Sequence, residues 1–424
     1  MSRLALEIRK RWHDSLYRNS LYLMASSAIT AVVGFVFWML AARFYPAEDV
    51  GIASAVISAM SLITLLASLG LDYGIVRFLP SAGEDANKMI NTCLTLCGVA
   101  AIVIATGFVL GVEVWSPPLA FLRHNWVLFL AFVGFSGAGT VSLFQGRVFV
   151  AERRAGCTLL KSAVFNAARL ALVTGLSVSF AAFGIYAPWG LAHALALAVA
   201  LMVLMPLVRP GYRPWPRLQR AVIARITRFS FANYVTALLW MAPTFILPLM
   251  VVNRLGAEAN AYFYIAWAIA NVLFVVPIAT AFTLLAEGAH DDARLAHDAK
   301  RTIALTLAVV VPLVLFASFA GDRVLRLFDP VYAENAFDLL RLLSISAVPL
   351  SVNFVYFGVL RVRMRMWPVV LLSGFIAFST LVAGWFLLPG MDILGPGVAW
   401  FSSQGLVAVL VVLWTLRRMR GDTA

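Results

Sequence analysis

The chain has 424 residues, of which 62% are hydrophobic and only 12% charged, with a formal net charge of +13. An average soluble domain carries roughly 25% charged residues, so a soluble fold is excluded. The basic excess lies in short clusters between apolar stretches, which excludes a nucleic-acid-binding patch on a soluble domain.

In chain order, apolar runs lie near 20–42, 50–71, 89–112, 126–146, 158–181, 184–208, 229–252, 261–286, 302–320, 337–360, 367–389 and 393–416. Each is close to the ~20 residues a helix needs to cross the hydrocarbon layer. A spanning strand reads as about ten residues of alternating character, whereas these runs are continuous. The expected fold is therefore an all-α polytopic membrane protein of about 12 transmembrane helices. With a cytoplasmic N-terminus, about 26 Lys and Arg fall in inner segments, about 6 in outer segments, and Arg169 within a span, as the positive-inside rule requires. Both termini are then cytoplasmic. No cleavable signal peptide is expected, because the first run is long and has no small-residue cleavage site behind it.

The chain reads as built twice. Arg18-Asn19-Ser20, followed by an apolar run to Ala47-Glu48, returns 210 residues later as Arg228-Phe229-Ser230 and a run to Ala257-Glu258. Polar positions inside the runs keep step, Ser26 with Thr236 and Ser61 with Asn271. A Pro- and Arg-rich linker, 209–217, separates the halves, since its prolines cannot continue a helix. The expected organisation is an N-terminal six-helix lobe over 1–208, a basic Pro-rich cytoplasmic linker and surface helix over 209–228, and a C-terminal six-helix lobe over 229–424. Leu218, Val222, Ile226 and Phe229 share an apolar face beside Arg217, Arg220 and Arg225, and Leu4, Ile8, Trp12 and Leu16 do the same beside Arg9-Lys10-Arg11. Each half is thus expected to open with a basic amphipathic helix on the inner membrane surface. A six-span unit repeated once keeps its orientation, which places a pseudo-two-fold axis along the membrane normal with a pathway between the halves.

Three stretches carry a family resemblance: the turn 42–51, with Arg43, Pro46 and Gly51; the stretch 70–80, from Gly70-Leu71-Asp72 to Leu79-Pro80; and the arginine-bearing closure of the fourth span, Gly146-Arg147-Val148. The chain resembles the oligosaccharide flippase branch, or polysaccharide-biosynthesis membrane proteins, of the multidrug/oligosaccharidyl-lipid/polysaccharide (MOP) exporter superfamily. The resemblance implies that spans one, two, seven and eight line a central cavity. Polar stripes on those spans supply candidate cavity residues: Ser26 and Thr30 on the first, Ser54, Ser58, Ser61, Thr64, Ser68 and Asp72 on the second, Asn233 and Thr236 on the seventh, and Asn271 on the eighth. Small hydroxyl residues also serve close helix packing and bond the carbonyl one turn back, so both readings stand for any one of them.

A charge within the membrane costs about 2.5–3.5 kcal/mol on insertion scales, which singles out Arg169, for a substrate role or for snorkelling. Arg18, Arg43, Arg228 and Arg254 bracket spans one and seven at both faces. They offer planar forks suited to phosphate or act as topological anchors. Arg77 and Glu287 hold equivalent places in the two halves with opposite charge and, with Asp72, form a candidate inner gate. Cys93, Cys97 and Cys157 have neither zinc spacing nor a disulfide setting. No phosphate-binding loop or metal-ligand pair occurs, so no catalytic residue, metal or cofactor is expected.

These features point to a non-enzymatic transporter of the bacterial inner membrane. It would move a lipid-linked oligosaccharide, with a prenyl diphosphate carrier, between leaflets for cell-surface polysaccharide synthesis. Its partners would be that lipid-linked substrate, membrane lipids, and polysaccharide polymerases and glycosyltransferases. A cation-coupled multidrug antiporter of the same superfamily is one alternative. A membrane polymerase or ligase is the other.

Overall fold

The computed structural model describes residues 15–175, 180–288 and 295–421. Among these residues all regular structure is helical, as apolar surroundings require of a chain whose backbone polar groups must be satisfied internally. The principal helices are α1 (Ser15–Phe44), α2 (Ala47–Ala67), α3 (Leu71–Phe78), α4 (Ala86–Leu110), α5 (Trp126–Ala151), α6 (Ala155–Gly175), α7 (Phe183–Val199), α8 (Arg220–Leu255), α9 (Ala257–Gly288), α10 (Leu295–Arg326), α11 (Pro330–Ile345), α12 (Ala347–Val362), α13 (Met366–Met391) and α14 (Leu394–Gly421). They supply twelve segments long and apolar enough to cross a membrane, α11 and α12 together forming the tenth. The twelve expected spans are present, and the protein is a multi-pass membrane protein. The N-terminal amphipathic stretch falls on residues 1–14, outside the described residues.

Local chemistry sets several helix ends. Asn125 caps α5, its side-chain oxygen accepting from the amides of Val127 at 2.9 Å and Leu128 at 3.3 Å. Asp329 caps α11 by accepting from Val331 N at 3.0 Å, with Pro330 in the first turn, where its missing N–H costs nothing. The tenth span therefore begins earlier than the charge pattern suggests.

Two compact units result. The first comprises the described residues up to Tyr45 together with Val56–Tyr234, and the second comprises Pro46–Ala55 with the described residues from Val235 onward. Within the first, α1 packs on α6, α4 on α5, and α7 on both α5 and α6. Its core gathers Leu71, Ile75, Ile90, Cys97, Val148 and Ile226 among others. Within the second, α13 packs on α14, α10 on α11, and α9 on α12. Trp400 sits at the centre of an aromatic group, 5.2 Å from Trp267 and 5.7 Å from Trp240, and its indole N–H donates to Ser346 Oγ at 3.1 Å. Large apolar side chains such as Phe386 and Val103 remain exposed at 75% and 64%, as lipid-facing residues do.

Two departures from the sequence expectation bear on the site. The second span does not run on to Asp72. Leu69 and Gly70 take left-handed conformations, with φ of 49° and 73°, and a new short helix starts at Leu71. Gly70 is needed twice over, since φ in that region favours glycine and an added Cβ would lie 2.8 Å from Tyr234 Cβ. The second departure is at 220–228, which forms the first turns of the unbroken helix α8 rather than a separate surface helix. Its apolar face is used inside the first unit, where Ile226 is fully buried and packs against Gly74. The linker ahead of it is tied to α4: Tyr212 Oη donates to Asn91 Oδ1 at 2.6 Å, and Asn91 Nδ2 donates to the Arg213 carbonyl at 2.8 Å. Burial pushes the Tyr212 phenol up to about 12, so it holds its proton as the donor.

Candidate functional site

The first-span polar stripe faces α6 of its own unit. Ser26 Oγ donates to Ser162 Oγ at 2.8 Å, Asn166 Nδ2 donates to Thr30 Oγ1 at 3.1 Å, and Arg169 Nη2 donates to the Thr30 carbonyl at 3.2 Å. Ser162, Asn166 and Arg169 lie three or four residues apart, so one face of α6 matches the stripe of α1 turn by turn. Arg169 is 6% exposed. Its guanidinium carbon sits 4.9 Å from the Phe165 ring centroid and 5.6 Å from that of Phe37, so aromatic faces help hold the cation. Reaching across to α1, it does not snorkel along its own helix. Gly34 makes room, since a Cβ there would lie 3.5 Å from Arg169 Nη2.

A second buried cation shares this helix, and the charge pattern did not single it out. Lys161 is 8% exposed, and its Nζ donates to the Ser142 carbonyl of α5. The adjoining face of α5 carries Gly139 and Gly146. Cβ atoms there would lie 3.8 Å from His193 Cδ2 and 3.7 Å from Lys161 Nζ, so lysine and histidine occupy one glycine-lined strip. His193 of α7 lies with its ring centroid 4.2 Å from Phe165 and 4.3 Å from Trp189, and its Nδ1 is buried without a hydrogen-bond partner. Gln145 nearby in sequence is fully buried, and both its amide atoms lack partners. The available signal in the sequence was Lys161 itself, because only four of the 33 Lys and Arg residues are lysine.

Other candidates are spread over both units. In α2, Ser61 Oγ donates to the Ile57 carbonyl at 2.8 Å, and Thr64 meets Thr140 of α5 at 3.0 Å. Asn271 Nδ2 donates to the Trp267 carbonyl at 2.8 Å. Thr236 is buried, while Asn233 is partly buried at the same turn. Arg18 and Arg43 are exposed near the two ends of α1. Arg254, near the end of α8, is exposed and stacks 3.8 Å from the Trp385 ring centroid.

Asp72 sits in the first turn of α3, partly buried, with Oδ1 fully covered and unpartnered. Burial raises its carboxyl above the usual range, against the opposing pull of Arg147 and the amides of Asp72 and Tyr73. Arg77 is exposed near the end of α3. The Glu287 side chain lies outside the described residues, as does its pairing with Arg77. Among the described residues no group of three or more His, Cys, Asp or Glu is placed to hold a metal ion.

The protein-family model described as "Polysaccharide biosynthesis protein" matches residues 16–287, and the model described as MatE matches residues 235–386. No curated protein matches the chain. Among solved structures, one titled as the inward-closed conformation of the lipid II flippase MurJ is 12% identical, with a TM-score of 0.74 over 94% of this chain and 87% of that one. An inward-facing multidrug resistance MATE family transporter of the MOP superfamily is 15% identical, with a TM-score of 0.70 over 95% and 98%. A MOP superfamily transporter from Pyrococcus furiosus Vc1, titled for the reverse polarity of its binding pocket, is 15% identical with a TM-score of 0.62 over 97% and 96%. These likenesses show a shared fold across nearly the whole chain.

Proposed function

Because the chain belongs to the polysaccharide biosynthesis protein family and has the fold of the MOP superfamily transporters, we propose that it carries a lipid-linked oligosaccharide across the bacterial cytoplasmic membrane. The headgroup moves through the protein by alternating access between its two halves, while the prenyl chain stays in lipid. Both termini then lie in the cytoplasm.

One observation carries this reading over a cation-coupled multidrug antiporter. Among the described residues, the Lys, Arg, Asp and Glu side chains that are buried are Lys161 and Arg169, at 8% and 6% exposure, and no Asp or Glu is among them. Cation coupling asks for a carboxylate within the membrane, whereas a diphosphate asks for cations and donors along its route. Arg43 and Arg254, at the ends of the first and seventh spans, extend that cationic character. The match of the MatE model to 235–386 supports the antiporter as the second reading.

The test uses purified protein in proteoliposomes loaded with a fluorescent prenyl diphosphate oligosaccharide. Exposure of the sugar to an external lectin or oxidant reports its movement between leaflets. Protein-dependent movement supports the flippase. Movement no faster than in protein-free vesicles, together with efflux of a cationic dye, sinks it in favour of the antiporter.

A further inference from the structure

The flippase reading counts Lys161 as a buried cation but leaves its lack of a counter-charge unexplained. The residue lies six positions after the start of α6, about 9 Å along the helix axis at 1.5 Å per residue. A lysine at that depth ordinarily extends its stem toward the nearer interface. Here Nζ turns onto the Ser142 carbonyl instead, in the strip that Gly139 and Gly146 leave open on α5.

Its surroundings offer the charge little compensation. Among the described residues no carboxylate pairs with Lys161, and the Ser142 carbonyl is its described hydrogen-bond partner. From α7, His193 lies on the same glycine-bearing face of α5, its Cδ2 3.8 Å from a Cβ built on Gly139. Arg169 lies two turns further along α6, with the Phe165 ring beneath its guanidinium. From α1, Tyr22 reaches the start of α6, where its ring lies 3.6 Å from a Cβ built on Gly156. From α5, the nearest charged side chain in sequence is Arg147, which acts on Asp72. Burial alone disfavours a permanent cation here, since burying a charge without a counter-charge is costly.

The residue type fits a group that changes charge. Arginine supplies nearly all the cations of this chain; of the other lysines described, Lys300 is exposed, and Lys88 is half-buried and paired with Asp85 at 2.6 Å. Arginine cannot be deprotonated in proteins, whereas a lysine amine can. We propose that Lys161 is a reversible proton-binding site inside the first unit, exchanging its ammonium proton with water so that the unit's buried charge changes without a membrane carboxylate. The Nζ–H bond that breaks leaves its electron pair on nitrogen, and the proton passes to water. The neutral amine keeps two N–H groups, so the bond to Ser142 survives in both forms.

The scarcity of lysine makes this directly measurable, with no need of a transported substrate. In the variant Lys10→Arg, Lys88→Arg, Lys300→Arg, Lys161 is the sole lysine, and its labelled side-chain carbon next to Nζ reports amine or ammonium by NMR in lipid nanodiscs. The expected result is a resonance that moves between the two positions within about pH 5–9, the range over which an internal proton site is useful to a cell, and moves identically in chloride and gluconate. A resonance fixed at the ammonium position throughout overturns the proposal. So does one that responds to chloride at fixed pH, which would make Lys161 the holder of an inorganic anion. If the triple variant does not fold, the wild-type spectrum of four lysines minus that of Lys161→Arg gives the same reading. Failure of this test leaves the flippase reading intact, since it measures a proton and not transport.

Discussion

Gly51 and Ala257 meet backbone to backbone: a Cβ built on Gly51 would fall 1.7 Å from the Ala257 carbonyl oxygen. The contact joins the first turns of α2 and α9, both within the second unit, and it sits beside a hydrogen-bonded pair. Asn260 Nδ2 donates to the Gly51 carbonyl at 2.8 Å and to Ser54 Oγ at 3.0 Å. Backbones approach this closely only where a residue has no side chain, which is how small residues drive helix packing in membranes. The Arg43-to-Gly51 turn noted in the sequence therefore ends in a packing site.

Gly51→Ala is expected to destabilise the protein by about 1–3 kcal/mol, the usual cost of overpacking a tight contact. Thermal unfolding in detergent would show this as a lowered Tm. Gly405→Ala is the control, because nothing lies within 4 Å of a Cβ there, and it should leave Tm unchanged or raise it slightly through better helix propensity. Equal Tm values for both variants would mean that the α2–α9 contact is not tight in solution.

Asn260→Ala removes two hydrogen bonds from a fully buried site and should cost about 1 kcal/mol, within the range of interhelical polar contacts in membranes. Because Gly51 and Asn260 share one contact, the effects of Gly51→Ala and Asn260→Ala should not add. A double variant whose Tm loss equals the sum of the singles would show the two to be independent.

The membrane spans were legible because charges bound every apolar run. What escaped was direction. Ser26 and Thr30 read as a stripe, but a single sequence does not reveal that the matching partners are Ser162 and Asn166, 136 residues away. The second-span stripe was extended one turn too far, to Asp72, because its three-to-four spacing continues through Leu69 and Gly70. The helix ends there at a left-handed Leu69-Gly70 turn, for which the glycine was the local signal. Lys161 was passed over because a cation near the start of a span ordinarily reads as an interfacial anchor.

Asp72 gives a pH signature with a definite sign. Burial raises its carboxyl above the ordinary carboxylate range, so the folded state holds this proton more firmly than the unfolded chain. Its contribution therefore favours folding at low pH and is lost as pH rises from about 4 through the raised folded value. Asp72→Asn should remove that loss, giving at pH 7.5 a Tm at or above that of the wild type and a flatter Tm profile from about pH 4 upward. A variant clearly less stable than wild type at pH 7.5 would show that Asp72's attraction to Arg147 outweighs its burial.

Arg254 and Trp385 form a stacked pair at 3.8 Å within the second unit. If the flat ring orients the guanidinium for a phosphate, Arg254→Lys should slow lipid-linked oligosaccharide movement several-fold and Arg254→Ala more, since lysine keeps the charge but not the fork. Trp385→Leu should resemble Arg254→Lys, and adding it to Arg254→Ala should cost nothing further. Wild-type rates for Arg254→Ala, at wild-type abundance in the membrane, would make the arginine an anchor.

The last prediction links the proton site to transport. Lys161→Arg fixes a positive charge at the Ser142 carbonyl that cannot be discharged. Lys161→Gln fixes a neutral amide that can still donate there. If proton exchange at Lys161 accompanies each cycle, wild-type proteoliposomes should move the lipid-linked oligosaccharide faster under an imposed pH gradient than without one, and both variants should lose that acceleration. Their rates without a gradient need not agree, since one variant mimics the charged form and the other the neutral form, and each would favour the conformation that suits its charge. A rate that still rises with the gradient in Lys161→Arg would place the coupling proton elsewhere, and the carboxyl of Asp72 would then be the next group to replace.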